Sequence, residues 1–160
     1  ELNVPQGTTA AIAAFFGEGV TTYGQRTKYR NADEAGRQEI VEKDLKHLSW
    51  DSPGPAYSEF LTDEQIKAFD DRRAYKRSLV VYNATSAGPH RRGYKSQEAY
   101  QEALTKFTAE SEKDVAEFRS MGVTLEEARG LLKSYYRKQY GKATESYPGK
   151  QRALTKLHGN

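Results

Sequence analysis

The chain has 160 residues, with 25 Lys/Arg against 22 Asp/Glu and no cysteine. That length suits one domain over 1–160, and the lack of cysteine excludes a disulfide framework and thiolate metal sites. Leu, Ile, Val and Phe number only 27, about 17% of the chain and under the roughly 20% at which chains tend not to fold alone. Order must therefore draw on other side chains, or on a partner, an assembly or a ligand. The eleven tyrosines partly fill the gap, because Tyr buries a ring and keeps a wet hydroxyl that suits core edges and interfaces.

In chain order, residues 1–30 read as an N-terminal arm. Its apolar run Ala10–Phe16, including Phe15 and Phe16, suits a short helix capped by Thr8 or Thr9, buried or docked on a partner. No apolar run approaches the ~20 residues of a membrane span, so a soluble or peripheral protein is expected. A start at Glu1 rather than Met suits a processed mature form or a trimmed one. Val20–Tyr29, rich in Thr and Tyr, reads as a strand or extended segment.

Residues 31–140 read as a helical core. Asn31 with Glu34 predicts a helix start, Ile40, Val41, Leu45 and Leu48 form its stripe, and Ser52-Pro53-Gly54-Pro55 stops it. Thr62 and Gln65 form a capping box for a helix from Asp63 to about Arg77, with Leu61 and Ile66 spaced as a hydrophobic staple. Ser78–Tyr82 reads as its continuation, with a short strand as the alternative. A loop follows from Asn83 to Lys95. Ser96 caps a long helix to Met121, with Tyr100, Leu104, Phe107, Val115 and Phe118 on one face. Gly122 closes it, Thr124 and Glu127 box the next helix, Leu125–Tyr140, and Gly141 ends that. These two helices predict an αα-hairpin over about 96–140. Residues 141–160 read as a basic tail, with a turn or two of helix at Arg152–Leu157.

The charge map is uneven. Residues 131–160 hold seven Lys/Arg and one acid, among them Lys133, Arg137, Lys138 and Lys142. A second block is Arg72, Arg73, Lys76, Arg77, Arg91, Arg92 and Lys95, with no acid from Arg72 through Gln97. Both blocks are candidate sites for a polyanion, an anionic surface or an acidic partner, against the bland reading of solvated faces. Tyr135, Tyr136 and Tyr140, with Phe15 and Phe16, are the candidate partner-binding aromatics. Six of the eleven tyrosines have Lys or Arg within two positions, no more than the basic content predicts.

Other motifs are weaker. The turn Gly122-Val123-Thr124 invites a helix-turn-helix reading, but Glu126 and Glu127 would press carboxylates on phosphates. The loop around His90, with Arg91 and Arg92, could hold a phosphate, though it lacks the P-loop spacing. Asn83-Ala84-Thr85 fits a glycosylation acceptor, which matters only for a secreted protein. Neither the three histidines nor the carboxylates form a metal or acid/base pattern, so no cofactor is expected.

The expectation is a mainly α protein: a loose bundle of four to five helices with long irregular connections and extended termini, allowing a short strand pair. Its expected role is a non-catalytic structural or adaptor subunit of a larger assembly, bound to other protein subunits through Tyr-rich basic regions and terminal arms. The alternatives are an electrostatic nucleic-acid-binding protein, and a small enzyme acting on a phosphorylated substrate at the 83–93 loop.

Overall fold

The computed structural model describes residues 19–142 and 147–159. Among them the chain is mainly α, with six helices and no strand: α1 Gly19–Asn31, α2 Glu34–His47, α3 Asp63–Ala84, α4 Gln97–Ser120, α5 Leu125–Tyr140 and α6 Pro148–Gly159. Short 3-10 turns occur at Ser58–Phe60 and Arg91–Gly93. The apolar stretch Ala10–Phe16, with Phe15 and Phe16, lies outside the described residues. Two compact units meet in sequence between Arg73 and Ala74, within α3.

The first unit is built on aromatic packing. Tyr29, Val41, Leu48, Tyr57 and Phe69 form its buried cluster, with Ile40, Leu45 and Leu61 packed against it. The Tyr29 and Tyr57 rings stack at 4.6 Å, 5° from parallel. This explains why Val20–Tyr29 is helical rather than extended. Strand preference is a preference for a half-buried neighbourhood, and here a helix delivers the Tyr29 ring to Tyr57. The helix end is held from α2: Arg37 donates to the carbonyls of Tyr29 at 3.0 Å and Arg30 at 2.9 Å, and stands over the Tyr29 ring. A cation on these orphan carbonyls is favoured by the helix dipole. Asn31 is the last residue of α1, and Asp33 caps α2, accepting from the Gly36 N–H at 2.8 Å. The Thr62–Gln65 capping box closes in both directions. Leu61 packs on the core, whereas Ile66 is left exposed.

In the second unit the closest helix pair is α5 with α6. They run antiparallel, since Tyr147 packs on Tyr136 near one end and Arg129 bonds Thr155 near the other. Leu132, Leu154, Val81, Ala128 and Tyr136 are buried residues of this unit. Residues 148–159 are therefore a packed helix rather than an extended tail. α6 is pinned at both ends: Lys150 donates to the Thr85 carbonyl at 2.8 Å, and the His158 ring meets the Val123 carbonyl at 3.0 Å. The expected α4–turn–α5 sequence is in place, with the Thr124–Glu127 box formed and Gly122 and Gly141 in left-handed conformation at the helix ends. On α4 only Phe118 is fully buried; the rest of its apolar stripe is half-covered. One covering element is the loop at Gly88, where φ is +84° and a Cβ would lie 2.8 Å from the Phe107 ring. Glycine is needed there twice over, for conformation and for space.

Tyr57→Phe keeps the stacked ring and removes the donor to Asp44. It should cost about 1–3 kcal/mol, the usual penalty for a polar partner left unsatisfied. Leu154→Ala, which opens a cavity under α6, should cost about 2–5 kcal/mol. Urea unfolding followed by circular dichroism measures both.

Candidate functional site

The second unit gathers six tyrosines that are far apart in sequence. Tyr135 stacks on Tyr75 at 6.1 Å and on Tyr82 at 4.2 Å. Tyr82 meets Tyr136 edge-on, and Tyr136 packs against Tyr140 and Tyr147. α3, α5 and the entry to α6 each supply rings. Two ammonium groups close the cluster: Lys138 stands 4.6 Å over Tyr75 and Lys150 stands 5.0 Å over Tyr82. Gln139 donates to the Tyr75 hydroxyl at 3.2 Å. Cations over ring faces are attracted by the ring quadrupole.

This packing shifts several protonation equilibria. The Tyr82 hydroxyl is pushed up to about 12, first by its hydrogen bond with Tyr140 and then by burial. Burial also raises Tyr135 and Tyr136, and it lowers the ammonium of Lys150.

The predicted aromatics divide. Tyr135 and Tyr136 are buried within the chain, filling a core short of aliphatic side chains. Tyr140, 52% exposed, is the accessible edge of the cluster. Around it Arg137, Lys138 and Lys142 are exposed, while Lys133 is half-buried.

The members of the second basic block have different surroundings. Arg73 is a structural pin, donating to the carbonyls of Ser52 at 3.2 Å and Pro53 at 3.0 Å and pairing with Asp70. Arg72, Lys76 and Arg77 are half-buried along α3. Arg91 is spent on Gln97 and the Tyr94 carbonyl, at 2.9 Å each. Arg92, Lys95 and His90 are exposed. Asn83 lies inside α3, and the Thr85 hydroxyl is buried against the Val81 and Tyr82 carbonyls, a poor setting for glycosylation. Glu127 is committed to the cap of α5, and the Thr124 N–H holds its carboxyl below the usual range.

Sequence reasoning missed Tyr75, Tyr82, Tyr147 and Lys150 as members of one cluster. No local signal marks them: Lys150 and its Thr85 partner are 65 positions apart.

Among the described residues no helix is long and apolar enough to cross a membrane, and no group of three or more potential ligands is placed to hold a metal. No family model, curated protein or solved structure matches the chain.

A phenol whose folded value lies above its unfolded one contributes stability that is present below the unfolded value and lost as pH rises through the folded one. Tyr82 should therefore ionise near 12 rather than 10.0, with stability falling across that window. Tyr140→Phe removes the first cause and should bring Tyr82 back toward 10.0. Tyrosinate absorbance during alkaline titration, with Tyr82→Phe to identify the late step, measures the change.

Proposed function

We propose that this protein is a non-catalytic structural or adaptor subunit of a larger assembly, its helices loosely bundled around partner-binding edges. The observation that carries this reading is the exposed edge of the tyrosine cluster. Tyr140 stands there among Arg137, Lys138 and Lys142, in a stretch where residues 131–160 hold seven bases and one acid. Between described residues the ion pairs are Lys67–Asp71 and Asp70–Arg73, both on α3. The cations near Tyr140 thus have no described carboxylate paired with them, which suits an acidic protein face. Aromatic and Arg side chains at such an edge are the usual anchors of protein interfaces. A second support is α4, where an open, mostly apolar groove runs along Phe107, Ser111, Val115 and Ala116, lined among the described residues by that helix alone.

Nucleic acid is the weaker reading. Sequence-independent binding of single strands stacks bases on ring faces. Here Tyr75 and Tyr82 stack on Tyr135, while Lys138 and Lys150 stand over Tyr75 and Tyr82. Tyr140 is the ring left open to stack.

The test is crosslinking of the protein in cell extract, with identification of the neighbours. Arg137→Glu combined with Lys142→Glu should weaken capture of the main neighbour about fivefold, at ~0.5 kcal/mol for each rim charge. An unchanged neighbour set overturns the assignment of this surface. Capture lost on nuclease treatment, with affinity falling steeply in salt, would establish the nucleic-acid reading instead.

A further inference from the structure

A separate cleft of about 370 Å³ opens in the first unit, within the usual range of about 300–1,000 Å³ for small-ligand sites. Gln25 of α1, the last turn of α2 with Asp44 and His47, the loop Ser52–Ala56, and Phe69 of α3 line it. Its frame is held from outside. Arg26 donates to the Ala56 carbonyl at 2.6 Å, and Arg73 donates to the carbonyls of Ser52 and Pro53. Two helices thus fix the Pro-rich loop, and Tyr57, buried beneath, fixes Asp44 by donating its hydroxyl to one carboxylate oxygen.

Asp44 gives this cleft a negative group. Among the described residues Asp44 is its only acidic lining residue, and no Lys or Arg is among those lining it. The guanidiniums of Arg26 and Arg73 are held on the loop carbonyls of Ala56 and Pro53. The last turn of α2 stands in the wall, and the carbonyl end of a helix carries the negative pole of its dipole. His47 lies three residues after Asp44, on the same face of α2, and is exposed at the mouth. Leu48, Pro53, Pro55 and the buried ring of Phe69 supply apolar wall.

We propose that this cleft binds a cationic head group, ammonium or guanidinium, carried on a short apolar stem. The head pairs with the Asp44 carboxylate and the α2 carbonyl end, and the stem lies against Phe69 and the prolines. The same chemistry is offered by a free small amine and by a Lys or Arg side chain of another protein. All lining residues belong to the first unit, so the proposal is independent of the surface around Tyr140.

The test is amide-resolved NMR titration of the full chain with n-butylammonium, n-butylguanidinium and the lysine derivative Nα-acetyl-lysine methylamide. Butanol and butyrate are the neutral and anionic controls. The expected result is saturable shifts at Gln25, Asp44, His47 and Phe69 with the cations and not with the controls. Asp44→Asn, which retains an acceptor for Tyr57, should weaken binding about tenfold or more, as expected on losing a charge-assisted contact. Saturation by the lysine derivative but not the simple amines identifies a side-chain socket; saturation by the simple amines identifies a free-amine site. The proposal is overturned if wild-type protein shows no saturable shift with any cation, or an equal response to butanol or butyrate. The wild-type comparison stands even if the variant fails to fold.

Discussion

A chain poor in aliphatic side chains has to fill its interior with rings that carry hydroxyls, and each buried hydroxyl needs a partner. Everything else in this protein follows from that constraint. In the first unit Tyr57 is fully buried, so it must donate, and Asp44 at the end of α2 accepts. Burial and that carboxylate raise the Tyr57 hydroxyl well above its ordinary value. In the second unit the rings pack on one another, and Gln139 donates to the Tyr75 hydroxyl.

Rings also decide where the charges go. A ring face left open invites a cation, and several here are taken from within the chain: Arg30 over Phe60, Arg37 over Tyr29, Lys138 over Tyr75 and Lys150 over Tyr82. These contacts place long basic side chains along aromatic surface, where their stems add packing as well as charge. Carbonyls at helix and loop ends claim others, as Arg37, Arg73 and Lys150 show. The basic residues divide into those spent on holding the fold and those left at its edges. That division separates Arg73 from Arg137 more sharply than any sequence block could.

Much of the local plan was legible. The Thr62, Ser96 and Thr124 caps and the stops at Gly122 and Gly141 stand where hydrogen-bond arithmetic at helix ends requires them. Val20–Tyr29 looked extended because it is rich in Thr and Tyr, and residues 148–159 looked like a tail because they are polar; both are helical, with Tyr29 and Leu154 buried. Asn31 and Asp33 are both good caps, and the tie was broken by Arg37 closing α1 at Tyr29 and Arg30. The candidate site was half legible. Tyr140, Arg137, Lys138 and Lys142 lie together in sequence, but Tyr75, Tyr82 and Lys150 join them only across separations such as the 64 positions between Gln139 and Tyr75.

By itself the sequence determined the mainly helical character, the helix boundaries set by short-range caps, the basic excess after residue 130 and the need for tyrosine as core material. These depend on neighbours within a turn or on composition. Tertiary structure alone decided which tyrosines are core and which are edge, which arginines are pins, and that Asp44 lies in a cleft. Those outcomes depend on which distant ring or carbonyl each side chain meets, and contact across 20 to 65 positions leaves no periodic or local mark in the chain.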